Sequence, residues 1–295
     1  MSASTSFTTT VHPFDSPTSH ACAYELGLSS AKNAFVFIGG LGDGPHTVPY
    51  PRAIAKALEQ HSELNFSVFE FRLTSSFNGF GFARLADDVA DISALVKYLR
   101  GIGKDKVVLM GHSTGTQDIM EYTSPAYKNT PTVDAFILQA PVADRGALEL
   151  DLGLEALDKS VSIAKGLSEK GRGHERMPKE LIPDWFSPIS AQRWYALAAP
   201  DGEDNYFAPD LSREVASSYW SRIDKPLLIL QSGADEFMPP SIDVNGLIKE
   251  WKSMCRPGIV SDLSGLIPDA NHRVEQPESE KWLVKTVLDF LQSIK

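Results

Sequence analysis

The sequence predicts an α/β architecture, a mostly parallel central sheet flanked by helices, and three observations carry that expectation. Short apolar, β-branched or aromatic runs recur along the chain, helical stretches with one apolar stripe lie between them, and the alternation is broken once, over residues 144–223. The runs at 34–40 (AFVFIGG), 66–73 (FSVFEFRL), 106–111 (KVVLMG), 133–140 (VDAFILQA) and 226–232 (PLLILQS) suit strands covered on both faces. The earlier AYEL segment, 23–26, is expected at an antiparallel edge. Over 82–100, Leu85, Val89, Ile92, Val96 and Leu99 recur at spacings of four and three, which places them on one face of a helix. Further helices are expected near 241–254 and over 278–294, with a last strand near 258–264 between them.

Length and the single interruption predict one domain, 1–295, with an insertion. Residues 144–223 contain helical stretches, LEALDKSVSIAKGLSEKG (154–171) and SAQRWYALAA (190–199), separated by proline-rich loops. About eighty residues between two sheet strands is far more than an ordinary connection, so the segment is expected to form a helical cap over the carboxyl ends of the strands.

Composition excludes several classes. Apolar residues make up 42% and charged residues 22% of the chain, as in globular proteins. A formal net charge of −10 argues against general nucleic-acid binding, which needs clustered Lys and Arg. Two cysteines, Cys22 and Cys255, give neither a disulfide framework nor a C-x-x-C metal spacing. MSASTSFTTTVHPFD lacks the basic and apolar regions of a secretory signal, the terminal SIK is not a peroxisomal address, and no apolar run is long enough to span a bilayer. A cytoplasmic protein without membrane or nucleic-acid partners is expected.

The glycine-rich stretch FIGGLGDGPH (37–46) asks what approaches the backbone so closely. Gly39 and Gly44 have the spacing of a phosphate-binding loop, but Pro45 and His46 stand where its Lys and its Ser or Thr belong. The alternative is an oxyanion, and VVLMGHSTGTQD (107–118) supplies the partner. Gly111, Ser113 and Gly115 make G-x-S-x-G between an apolar run and a helix-compatible segment, the pattern of a nucleophile elbow.

A serine hydroxyl needs a base, and the base needs an orienting acid. In such folds they follow in the order Ser, Asp or Glu, His. Asp235 comes just after PLLILQS, and His272 lies in a loop before the final helix. Asp144 is the rival acid, and Glu236 adjoins Asp235 but is expected to point away. The oxyanion donors are expected to be the backbone N–H groups of Thr114 and of Leu41 or a close neighbour.

With FIGGLGDG, GHSTGTQD, LQAPVADR, SAQRWYAL, DNYF and SGADEFMP, the chain resembles the α/β-hydrolase superfamily over nearly its full length. Within that superfamily it resembles a fungal family that includes the fusarinine-type siderophore esterases. GHSTG with Gln117 and Asp118, together with SGADE, carries the more specific likeness. The resemblance implies an α/β-hydrolase fold and an intracellular serine esterase that cleaves ester bonds of ferric siderophores such as fusarinine C or its triacetylated form, releasing iron. It implies Ser113, Asp235 and His272 as the catalytic triad. Acyl transfer by this set requires no metal or organic cofactor, and iron enters only with the substrate. A general carboxylesterase or lipase for simple esters, and a non-catalytic ligand-binding protein, are the alternatives.

Gly40, Asp43, His46 and His112 adjoin the expected site and are candidates for substrate contact. From the cap, Trp185, Trp194, Tyr206 and Phe207, with Phe186 and Tyr195, are expected to line a groove. Asp201, Glu203 and Asp204 are candidates for meeting substrate amines.

Overall fold

Among residues 6–294, which the computed structural model describes, eight strands are found: β1 (Thr10–Pro13), β2 (Cys22–Leu26), β3 (Asn33–Ile38), β4 (Phe66–Phe71), β5 (Lys106–His112), β6 (Ala135–Gln139), β7 (Leu227–Ser232) and β8 (Gly265–Ile267). They make one sheet in the order β1-β2-β4-β3-β5-β6-β7-β8. β1 and β2 are antiparallel at one edge, and every pairing from β4 to β8 is parallel.

Side-chain alternation along the inner strands divides the core into two layers. Val36, Ile38, Val107 and Leu109 face one side, where they join the buried stripe Leu85, Val89, Ile92, Val96 and Leu99 of α2 (Leu85–Gly101), with α3 (Thr114–Tyr122) and α8 (Val244–Met254). Phe35, Phe37, Val108 and Met110 face the other, against Ile54 and Leu58 of α1 (Tyr50–Gln60) and Leu283, Val287 and Leu291 of α9 (Pro277–Ser293). Burial of each such side chain contributes about 1.5–3 kcal/mol, so the continuous apolar runs are what make a two-sided parallel sheet stable.

The interrupted segment folds as α4 (Asp144–Leu152), α5 (Leu154–Glu169), α6 (Ala191–Ala198) and α7 (Arg213–Trp220). The first three share a core of their own, built on Leu148, Leu157, Ala164, Phe186, Trp194 and Leu197. From Tyr206 to Ile223 the chain instead joins the core beneath the sheet, with Tyr206, Phe207, Ala216 and Trp220 packed beside Trp251 of α8. α4 to α6 thus form a helical unit with its own core, whereas α7 belongs with the main body.

Two elements depart from the sequence expectation. β1, TVHP, is a short, mostly exposed edge held to β2 by backbone pairing, with no apolar pattern to betray it. The last strand lies at 265–267 instead of 258–264: Val260 makes only an isolated bridge to Leu227, and a turn closed by Ser264 N–H on Ser261 C=O at 3.1 Å interrupts the run before Gly265. Among the described residues no helix is long and apolar enough to cross a membrane.

All parallel strands end at the same side of the sheet, so the loops after β3, β5, β6, β7 and β8 converge there. Those loops carry every residue of the candidate centre.

Candidate active site

Ser113 sits between the end of β5 and the first residue of α3, with φ 53° and ψ −123°, a backbone state that costs a non-glycine residue about 1–3 kcal/mol. Ser113 N–H donates to Gln139 C=O at 3.0 Å, and Thr116 N–H returns to Ser113 C=O at 2.8 Å. The flanking glycines are obligatory on steric grounds. A Cβ at Gly111 would stand 2.2 Å from Gly115 O, and one at Gly115 would stand 2.4 Å from Ile38 O.

Asp235 follows β7 and His272 follows β8, and the two meet across neighbouring strands. His272 Nδ1 lies 2.9 Å from Asp235 Oδ2 and 3.0 Å from Oδ1. Both side chains are almost fully buried. Gln231 Nε2 and Phe237 N–H each donate to the Asp235 carboxylate at 3.0 Å, so the carboxylate is held by two donors besides the imidazole. Glu236 accepts His272 N–H at 2.8 Å and holds the loop backbone, not the imidazole ring. With Nδ1–H directed to Asp235, the lone pair on Nε2 is the basic site. Ser113 and His272 line the same cavity.

The loop after β3 lies directly against the elbow. β3 and β5 are paired with Ile38 opposite Gly111, which carries Gly40 to the level of Ser113. A Cβ on Gly40 would come within 2.7 Å of Ser113 Cβ. Asp43 N–H donates to Gly40 C=O at 3.0 Å and Gly42 has φ 77°, which together make a type II turn with Leu41 at its first corner. An N–H at that corner has no acceptor within the turn. Thr114 is the first residue of α3, where an N–H has no intrahelical partner either. Among the described residues neither amide has a backbone acceptor, and Leu41 and Thr114 line the same cavity as Ser113. Gly40 N–H, by contrast, donates to Asp43 Oδ2 at 3.0 Å.

The cavity measures about 420 Å³ and is lined by Leu41, Asp43, His112, Ser113, Thr114, Asp144 and His272, with Leu148, Leu150, Asp151, Trp185, Phe186 and Leu197 from the cap side. Several expected contacts are corrected here. Trp194 is fully buried in the cap core with its indole N–H on Ser160 Oγ at 2.9 Å. Tyr206 packs on Tyr219 and bonds Glu121, while Phe207 packs between Trp220 and Trp251. Tyr195 instead bonds Asp201 at 2.7 Å. Only Trp185 and Phe186 of the six aromatic candidates reach the cavity. His46 is turned away to Glu70, 2.6 Å from Nδ1.

The acidic group proposed for substrate amines also disperses. Glu203 pairs with Arg84 and Asp204 is buried against Arg193, 2.6 Å away. Asp144, the rival acid, takes a hydrogen bond from Gln117 Nε2 and is not the partner of His272. Burial first, and then the nearby Asp204, push its pKa up to about 7.

Sequence reasoning did not single out Gln139, Gln231 or Arg273. Gln139 Oε1 accepts from Tyr50 OH at 2.9 Å and from His112 Nδ1 at 2.5 Å, and its Nε2 donates to Ser232 Oγ at 3.1 Å. Burial and the neighbouring His272 push His112 down to about 3, so His112 is a neutral Nδ1–H tautomer packed 5.0 Å from the His272 ring. A polar residue closing an otherwise apolar strand, FILQ and LLILQ, was the available signal for both glutamines.

Comparison with known proteins places this geometry in context. A family model described as "Protein of unknown function (DUF1749)" matches residues 1–292. The UPF0613 protein PB24D3.06c of Schizosaccharomyces pombe is 33% identical, over 91% of this chain and 90% of its own length. The fusarinine C esterase sidJ of Aspergillus fumigatus is 29% identical, over 92% of each. Among solved structures, the siderophore hydrolase EstB from Aspergillus fumigatus superposes with a TM-score of 0.83 at 28% identity, covering 98% of this chain and 99% of that one. The fold is the α/β-hydrolase fold.

Proposed function

The chain belongs to the DUF1749 family, and from that membership and the site geometry we propose that it is a serine esterase acting on a hydroxamate siderophore of the fusarinine C type. The observation that carries the chemistry is the backbone of Ser113. It is held at φ 53° over the cavity that also exposes His272, whose Nδ1 is 2.9 Å from a buried carboxylate.

His272 Nε2 takes the Ser113 proton as Oγ attacks the ester carbonyl carbon. Asp235 holds the ring in the required tautomer and stabilises the imidazolium. The Leu41 and Thr114 amides receive the oxyanion, each contributing a few kcal/mol that are realised only in the tetrahedral state. Collapse breaks the ester C–O bond, and the alcohol leaves with the proton from His272. Water, deprotonated by the same imidazole, then attacks the acyl-enzyme and restores Ser113.

A ferric siderophore is bulky, and a cavity of about 420 Å³ walled by residues of α4 and α6 with Trp185 and Phe186 suits one arm of such a molecule better than a flat surface does. Iron is part of the substrate in this reading, and its release follows cleavage of the ester arms. A cytoplasmic setting goes with it. Both cysteines are free, as in proteins of reducing compartments.

The test is hydrolysis of ferric and iron-free fusarinine C beside p-nitrophenyl esters, with fluorophosphonate labelling of the wild type and of Ser113→Ala. Labelling and siderophore cleavage by the wild type, both lost in the variant, are expected. Turnover of the simple esters alone would remove the siderophore assignment, and full activity in Ser113→Ala would remove the nucleophile.

A further inference from the structure

Asp43 is a buried carboxylate at the wall of the cavity, and the acyl-transfer steps above leave it without a role. Its oxygens are already occupied. Oδ2 accepts Gly40 N–H at 3.0 Å, and Oδ1 accepts Thr47 Oγ1 at 2.8 Å and Arg273 Nη1 at 3.0 Å. The second arm of the Arg273 guanidinium donates to Thr47 C=O at 2.8 Å. His112 Nε2 lies 3.9 Å from Oδ2, too far for a hydrogen bond. Burial opposes the charge on Asp43, but the Arg273 guanidinium and the hydrogen bonds from Thr47 and Gly40 favour it, and the pKa lies below the usual carboxylate value. With three donors in place and a side chain only 6% exposed, the carboxylate is committed to the protein's own groups.

What it does have is connectivity. Residue 273 follows His272 directly, so the Arg273–Asp43 contact joins the loop bearing the base to the turn bearing Leu41, across 230 positions of sequence. That turn runs through Gly39, Gly40, Gly42 and Gly44, the residues least able to fix a backbone by themselves. They cannot be replaced by stiffer ones, since Cβ atoms at Gly39 and Gly40 would stand 2.8 Å from Asp43 Cβ and 2.7 Å from Ser113 Cβ. An oxyanion donor acts only if it is already aimed when charge develops. Rigidity therefore has to come from side-chain contacts, those of Asp43 at the end of the turn and of Thr47 and Arg273 beyond it.

We propose that Asp43 and Arg273 are a positioning pair: they fix the 40–43 turn so that the Leu41 amide faces Ser113 and keeps its place relative to His272. Arg273 also balances the Asp43 charge, which alone would oppose the oxyanion beside it. The inference rests on the acyl-transfer reading of this site.

The experiment compares wild type, Arg273→Gln, Arg273→Lys and Thr47→Val with a p-nitrophenyl ester and with a boronic acid that forms a tetrahedral adduct at serine. For Arg273→Gln, kcat should fall roughly ten- to hundredfold, less than for outright loss of an oxyanion donor, with KM within about twofold. Boronate affinity should weaken by the same factor, and Arg273→Lys should recover part of the loss. The Leu41 amide resonance, read in protein carrying isotope-labelled leucine and assigned with Leu41→Ala, should move in Arg273→Gln. A raised KM with kcat preserved would make Arg273 a substrate contact and overturn the proposal, as would an unmoved Leu41 resonance. Should Arg273→Gln fail to fold, Thr47→Val removes one donor to Asp43 and is read by the same criteria. If the wild type hydrolyses no ester, the acyl-transfer reading fails on its own, and the Leu41 resonance still decides whether the pair holds the turn.

Discussion

The imidazole Nδ1 of His272 lies 2.9 Å from Asp235 Oδ2, and the same carboxylate is held by Gln231 Nε2 and Phe237 N–H. The Asp235 carboxylate is thus fixed by two donors besides the imidazole, whereas Asp144, at the start of α4, accepts from Gln117.

Asp235→Asn should lower kcat by roughly four orders of magnitude, because the amide loses the charge that supports the imidazolium and favours the wrong tautomer. Asp144→Asn should leave kcat far closer to wild type, since its carboxyl does not touch the ring. Steady-state kinetics of both variants on one p-nitrophenyl ester checks the pair. The reverse ranking would move the acid to Asp144.

Asp144 should instead show itself in stability. Its folded pKa of about 7 is above the unfolded value near 3.8, so between about pH 4 and pH 7 the folded state binds a proton that the unfolded state has released. Its contribution to the unfolding free energy therefore falls as pH rises through that window. Asp144→Asn mimics the protonated carboxyl and removes this loss. Urea midpoints at the two ends of the window should show a smaller fall in the variant than in the wild type, and a variant midpoint above wild type at the upper end. Parallel pH profiles would mean that Asp144 titrates normally.

Trp185 and Trp194 lie nine residues apart and do different work. Trp185 is 60% exposed at the cavity rim, its ring on Phe186 and its N–H on Asp151, while Trp194 is fully buried beneath α5. Trp194→Ala should cost about 3–5 kcal/mol in unfolding free energy through the cavity it leaves. Trp185→Ala should stay within about 0.5 kcal/mol of wild type in stability and raise KM for a bulky ester. Denaturant unfolding and KM, measured on both variants, separate the roles.

The same pair shows what the sequence could and could not disclose. The site's backbone was legible because close packing leaves a trace in residue type: Gly111 and Gly115 flank Ser113 where no Cβ fits, and Gly40 meets Ser113 for the same reason. Asp235 and His272 were legible because parallel strands deliver successive loops to one end of the sheet. The cap aromatics were not, since a Trp or Tyr satisfies a buried core and a cavity wall equally well, and only three-dimensional packing separates Trp194 and Phe207 from Trp185. The boundary of the cap was hidden likewise. The residues of α7 have the same amphipathic spacing whether they cover the cavity or return to the main core.

Gly40 gives a stringent test of the oxyanion turn. Its φ is not in the left-handed region, so alanine is acceptable to the backbone there, and the obstacle is space alone: the new methyl would stand 2.7 Å from Ser113 Cβ and 3.1 Å from His112 O. Either the turn or Ser113 must move, and in the proposed mechanism both carry reacting or stabilising atoms. Gly40→Ala should therefore slow fluorophosphonate labelling by about a hundredfold or more, the scale of losing an oxyanion donor. Gly101 is the control, at the end of α2 with nothing within 4 Å of an added Cβ. Gly101→Ala should label at the wild-type rate and gain up to about 1 kcal/mol in stability from the lower entropy of its unfolded chain. Equal labelling rates for the two variants would show that the turn does not press on the nucleophile, and the placement of the Leu41 amide would fall with it.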